Sequence, residues 1–330
     1  MGTEPIRLLD LPHAEARRLL ATGAPVYLPV NPVEYHGPHL SLHNDRLVSH
    51  GLIDGLHPRV APEHPLLLAD DLEIGVDPCC GPGTRYTALS MARRTVREAC
   101  KGLAELGAKR VVLMTFHGSP LHNLALEAGV KLLQRRGVVA LSPFNLVLQR
   151  MLTLRGEEFA EAAASLPDAA DRAAVTEGLP VDLHAGFFET SVALAVAPAT
   201  VHPGYRALAP CPEVRPNGFF RVVSRIFGAL GARDLARELS FISWGLGWYG
   251  QRPFPGYTGR PHLANAEAGA WFLNRMLDEA TPVVRAALWE GAPGPAPILP
   301  WLAWLTLGGR VGGIRVPADR FITLPAELDA

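Results

Sequence analysis

Residues 29–48 run Pro29-Val30-Asn31-Pro32-Val33-Glu34-Tyr35-His36-Gly37-Pro38-His39-Leu40-Ser41-Leu42-His43-Asn44-Asp45-Arg46-Leu47-Val48. Glu34, His36 and Asp45 sit around two tight turns. Before them, Ala24 to Val30 is a short apolar run bounded by Gly23 and Asn31-Pro32, which reads as a buried strand. After them, Leu47, Val48, Leu52 and Ile53 recur with helical periodicity from Asp45 to Leu56. Glu34 and His36 are two apart, so in extended backbone they point to the same side. Asp45 falls at a helix start, where exposed N–H groups favour negative charge. Oxygen and imidazole donors together suit zinc, manganese or iron(II). On this stretch alone a plainer reading stays open: a helix cap, a salt-bridge partner and a loop histidine.

Working outward, residues 5–22 read as a short strand or turn and then a helix capped by Asp10, and 57–85 are loop-rich around Leu66 to Ala69. Leu89 to Leu106 is a helix with a basic solvent side that Gly107 ends, and Val111 to Thr115 follows as a strand. The pattern repeats with a helix from Leu121 to Arg135, Gly137, and a strand from Val138 to Leu141. A helix that ends in glycine and feeds a buried strand is half of an α/β crossover. Residues 144–180 read as solvated surface or a lid, 184–200 end in a buried helix, and 203–262 read as turn-rich. Ala264 to Ala280 is amphipathic, and a Pro/Gly linker follows a short helix after Pro282. This divides the chain into a main domain, 1–283, and a C-terminal extension, 284–330. The apolar run from Ile298 to Leu307 is shorter than the ~20 residues of a membrane span. It is left to dock on the body, cover a neighbouring subunit or touch a membrane surface.

Lys plus Arg number 31 and Asp plus Glu 32, for a net charge of -1, so no basic footprint for nucleic acid is present. Glu4, Asp10 and Glu15 interrupt the first twenty residues, which speaks against a signal peptide. Cysteines 79, 80, 100 and 211 follow no zinc spacing, and a reduced, cytoplasmic setting is expected.

Two further segments carry chemistry. His117 follows the strand ending at Thr115, and open α/β sheets form their sites outside the carboxyl ends of strands. His184 and Glu189 lead into the apolar helix, where a buried carboxylate needs compensation. His184 either binds metal or carries a proton. Three dispersed segments of this kind make a two-metal hydrolase site coherent, with Asp45 bridging the ions.

The sequence resembles the creatininase (creatinine amidohydrolase) family. The carriers are Pro29-Val30 with Glu34, His36-Gly37-Pro38-His39-Leu40, Leu42 and Asp45; Pro82-Gly83-Thr84; His117-Gly118; His184-Ala185-Gly186 with Glu189-Thr190-Ser191; and Gly256 to Pro261 with Ala266-Glu267 and Gly269. They span roughly residues 20–280. The resemblance implies a single three-layer α/β/α domain with a mostly parallel sheet, often assembled into homo-oligomers such as hexamers. It implies two divalent ions per chain, zinc foremost with manganese or iron as alternatives. The first would be held by Glu34, Asp45 and His117, and the second by His36, Asp45 and Glu189. His184 takes the place of a histidine that assists proton transfer. Phe116, Ser119 and Pro120 replace the family's glycine and asparagine positions, with the asparagine shifted to Asn123, and Val76 to Gly81 stand where a histidine is usual. These departures point to a changed substrate.

The expected activity is therefore metal-dependent hydrolysis of a non-peptide C–N bond, in a cyclic amide, amide or formamide, by metal-activated water. A variant trims a short precursor peptide, and a competing reading is a non-catalytic scaffold. No Gly-x-Gly-x-x-Gly supports a dehydrogenase. His39 is read as orienting the loop. His43 and His122 are read as pocket lining or surface, and Trp244 and Trp248 as a substrate wall or packing.

Overall fold

The computed structural model describes residues 4–307 and residue 310. In chain order the main elements are β1 (Ile6–Arg7), α1 (His13–Ala21), β2 (Val26–Asn31), α2 (Asn44–Val60), β3 (Leu67–Leu68), β4 (Leu72–Glu73), α3 (Leu89–Leu106), β5 (Arg110–Met114), α4 (Pro120–Gln134) and β6 (Val139–Leu141). Then follow α5 (Phe144–Met151), α6 (Ala160–Ala163), α7 (Ala169–Gly178), α8 (Phe187–Val196), α9 (Gly218–Ala229), α10 (Arg233–Tyr249), α11 (Ala266–Trp289) and α12 (Leu302–Leu305).

The strands order as β1-β3-β2-β5-β6, with β4 pairing further along β2, and every described strand pairing is parallel. Alternate side chains of the central strands feed two cores, as a period of two requires. Tyr27, Val112, Met114 and Leu141 face one core, shared with α2, α5, α8 and α11. Val26, Leu28, Val111, Leu113 and Ala140 face the other, shared with α1, α3 and α4. A sheet apolar on both faces needs a helical layer on each, and the fold is a three-layer α/β/α domain.

Several expectations change. Asp10 does not cap α1, whose N-cap is Pro12 without a side-chain bond; Asp10 instead pairs with Arg7 at 3.1 Å. The 144–180 stretch is more than solvated surface, because Phe144, Leu148, Phe159, Leu166, Val175 and Leu179 are buried in the main core. The span 203–262 contains two full helices, α9 and α10. Its glycines suggested turns, but Gly247 lies inside α10, where an added Cβ would meet the Arg215 carbonyl oxygen at 2.3 Å. That glycine serves close packing. α11 runs unbroken past Pro282, so position 283/284 falls inside a helix. Of the run from Ile298 to Leu307, Ile298 and Leu299 are buried in the main core, whereas Trp304, Leu305 and Leu307 are exposed. The rest of the extension, beyond Leu307, lies outside the described residues apart from Arg310.

Candidate metal centre

The carboxyl ends of β2 and β5 are tied together by Asn31. Its Oδ1 accepts from Ser49 Oγ of α2 at 2.8 Å, from Thr115 Oγ1 at 3.2 Å and from the Phe116 N–H at 3.0 Å. This fixes three chain segments at one edge of the sheet. From β2 the turn carries Glu34 and His36, α2 begins with Asp45 in its first turn, and His117 follows β5. The fourth segment supplies His184 and, in the first turn of α8, Glu189. All six residues are buried.

Side-chain atoms of Glu34, Asp45 and His117 lie within 4.8 Å of one another, and so do those of His36, His184 and Glu189. His117 Nδ1 is 2.8 Å from Glu34 Oε2 and 3.5 Å from Asp45 Oδ2. His36 Nε2 is 3.0 Å from Asp45 Oδ1 and 3.9 Å from Glu189 Oε2. Asp45 thus faces both triads with different oxygens. His184 Nδ1 is 3.9 Å from Glu34 Oε1 and 4.0 Å from Glu189 Oε2.

Each imidazole is oriented by a backbone carbonyl on its far side. His36 Nδ1 lies 3.1 Å from the Glu34 oxygen, His117 Nε2 lies 3.0 Å from that of Val76, and His184 Nε2 lies 2.9 Å from that of Tyr35. A carbonyl only accepts, so in the neutral ring each of these nitrogens carries the proton and the other turns a lone pair into the cluster.

Three carboxyl groups and three imidazoles share this buried space, and their charges are strongly linked. Burial alone opposes protonation of His36 and His117. Even so, Asp45, Glu34 and Glu189 push His36 up to about 10, and Glu34 with Asp45 pushes His117 up to about 9. Burial raises Glu189 and Asp45; it also opposes the ionised form of Glu34, but His117, followed by His36 and His184, holds that carboxyl well below its usual range. Burial, then the charge of His36, lowers His184 to about 3. With the imidazoles neutral and their protons on the far nitrogens, Glu34 Oε2 and both Asp45 carboxylate oxygens are buried without a hydrogen-bond donor. Orphaned carboxylate oxygens facing imidazole lone pairs form a donor set for divalent cations, and the residues present fit two of them.

The surroundings hold this cluster. Asn123 Nδ2 donates to the His117 and Ser119 carbonyls and pins the turn after β5, while Ser119 and Pro120 open α4 as N-cap and first residue. His39 bonds Thr190 through Nε2 at 2.8 Å. His122 is neither surface nor exposed lining: it is fully buried, bonded to the Val30 carbonyl and edge-on to His117 at 5.0 Å. His43 is half-buried near Glu73, and His50 pairs with Asp71 at 2.7 Å. Trp248 lies beside the cluster, its ring 5.3 Å from that of His184, whereas Trp244 lines a separate groove with Arg221 and Arg225.

Sequence reasoning passed over Asn31, the Val76 carbonyl, the Cys79 N–H that caps Glu34, and Asp182. Asp182 accepts from the Phe188 N–H and the Thr258 hydroxyl beneath the His184 turn, and a Cβ on Gly186 would meet it at 1.7 Å. A polar residue closing the apolar strand was a visible signal for Asn31. Backbone groups carry none.

The family model described as creatininase, creatinine amidohydrolase, matches residues 10–284. No curated protein matches. Among solved structures, a manganese creatininase is 21% identical, aligned over 87% of this chain and 100% of its own, with a TM-score of 0.58. A mutant creatininase of Zn-Zn type is 19% identical over 87% and 100%, at 0.57. A creatinine amidohydrolase is 21% identical over 86% and 97%, at 0.56. At these identities the likeness is one of fold.

Proposed function

The chain belongs to the creatininase family, and from that premise we propose that it is a two-metal amidohydrolase that opens a C–N bond in a small amide, cyclic amide or formamide. The observation that carries the reading is the pair of buried triads facing one another across Asp45. Glu34, Asp45 and His117 would hold the first ion, and His36 and Glu189, with Asp45 shared, the second. Divalent ions bound there would polarise a carbonyl and make water nucleophilic near neutral pH.

The chain's own residues do the rest. His184, neutral and with its Nε2 proton held by the Tyr35 carbonyl, presents Nδ1 as the atom that takes up a proton and hands it to the departing nitrogen. Trp248, its ring 5.3 Å from that of His184, stands on the substrate side in this reading. The six groups are between 1% and 8% exposed, with His117, Glu189 and His184 the most open. That narrow access favours a small carbonyl compound over a peptide chain.

Zinc is the first candidate ion, with manganese and iron next. The free cysteines support a reducing, cytoplasmic location. No helix among the described residues is long and apolar enough to cross a membrane. Assembly into a homo-oligomer, up to a hexamer, is supported by the exposed apolar stripe of Phe219, Val222, Ile226 and Leu230 along and just beyond α9. The test is a panel of lactams, formamides and short peptides assayed after chelation and after readdition of each metal. Metal-restored turnover of a small amide is expected; turnover confined to peptides, or unaffected by chelation, contradicts the proposal.

A further inference from the structure

The C-terminal segment is fastened to the helix that carries the aromatic wall of the site. Glu238, in α10, receives two hydrogen bonds from that segment. The Leu299 N–H donates to Oε1 at 2.8 Å, and the Trp301 indole N–H to Oε2 at 2.7 Å. Leu299 is fully buried with φ at 48°, a left-handed conformation that leucine keeps only where its surroundings over-determine it. Just upstream, Asn145 and Gln149 of α5 donate to the carbonyls of Pro295 and Ala296 at 3.4 and 2.6 Å. The segment is thus held to the body at one end and to α10 at the other.

From Glu238, α10 runs ten residues to Trp248, roughly 15 Å at 1.5 Å per residue. There the indole is buried beside His184, and its N–H donates to the Tyr257 carbonyl at 3.0 Å. The principal helical neighbour of α10 is α9, which has no buried residue of its own. At its far end α10 is held by Trp248 and Tyr249, packed with Tyr35 and Phe254, and at its middle by Ser243, whose hydroxyl donates to the Asn217 carbonyl. Near its start the Glu238 contact is the tie to the C-terminal segment, and it bears on where that end of α10 stands.

We propose that Glu238 and residues 298–301 form a clamp that sets the position of α10 and hence of Trp248. The C-terminal segment is then a specificity element of the site, and Glu238 a positioning residue. This rests on the amidohydrolase reading, with Trp248 on the substrate side. Helices transmit displacement as near-rigid units. None of the six cluster residues lies on α10, so loosening the clamp changes substrate fit and leaves the metal ligands in place.

The experiment compares full-length wild type with Glu238→Ala, Glu238→Gln and Trp301→Phe. The readouts are amide hydrogen exchange, metal content, and KM and kcat on the best amide found. Loss of two hydrogen bonds to a charged acceptor should raise exchange in residues 239–250 and raise KM, each about tenfold in Glu238→Ala. The expectation includes kcat within about twofold and unchanged metal content. Glu238→Gln keeps an acceptor for one donor and should fall between. Trp301→Phe removes one donor and keeps an aromatic ring at that position, so it carries the test if Glu238→Ala does not fold. Unchanged exchange in α10, or a fall in kcat at constant KM, overturns the clamp. A wild type without metal or amidase activity overturns the hydrolase reading instead, and the exchange result still decides whether the clamp exists.

Discussion

The floor of the candidate site and its wall differ in how they are held. The floor groups sit at the carboxyl edge of a sheet covered on both faces, are at most 8% exposed, and their three imidazoles are each oriented by a backbone carbonyl. The wall stands on a hairpin whose outer helix buries no residue and whose inner helix is pinned by a contact to the C-terminal segment. Rigid support suits groups that would keep two cations at fixed separation, while a wall carried on a separate helix can be remodelled without touching them. The difference implies that floor substitutions abolish chemistry and wall substitutions alter affinity.

The largest effect is expected at Asp45. Asp45→Ala removes the residue facing both triads and should lower kcat/KM by at least ~10³-fold, as for groups that act as a unit. A loss under tenfold in a steady-state assay would dissolve the distinction between floor and wall. Next is Asn31→Ala, which strands donors from Ser49, Thr115 and Phe116 and should cost about 2–4 kcal/mol of stability in chemical denaturation; a cost below 1 kcal/mol would show that the strand ends are held otherwise.

The pH response of the floor has a definite sign. His36 and His117 have raised pKa values in the metal-free fold, so the stability they contribute is full below their unfolded value near 6.5 and is lost as pH rises through about 9 to 10. Burial raises Glu189 to about 8, so the metal-free fold also binds its proton more tightly than the unfolded chain does, and stability again falls as pH rises. Metal binding displaces these protons and strengthens over the same range. The gap in Tm between zinc-loaded and chelator-treated protein should therefore widen from pH 6.5 to 9.5; a narrowing gap contradicts a floor built for cations. The smallest effect belongs to the wall. Trp248→Ala should raise KM roughly tenfold, on the scale of one lost aromatic contact, with metal content unchanged.

The contrast also explains what could be read from the chain. The ligand turn, His117 and the pair His184 and Glu189 stand out because ionisable residues directly follow or precede apolar elements. α3 is legible from end to end because an apolar face and a terminal glycine, Gly107 at φ 113°, bracket it. The hairpin is not legible. Gly218, Gly228, Gly245 and Gly247 look like turn residues when their packing is unseen, and the outward face of α9 satisfies no core. Nor do the Val76 and Tyr35 carbonyls that orient His117 and His184 leave any trace in residue type. Glu238 finds its partners 61 and 63 residues away, a distance over which no local pattern operates.

The central claim is that Asp45 joins two cation sites, and counting metals tests it most directly. Elemental analysis of purified chain, reconstituted with zinc, manganese or iron and compared with Asp45→Asn, should find two ions per wild-type chain and depletion of both in the variant. Wild type that stays metal-free after reconstitution, or Asp45→Asn that retains both ions, would contradict it.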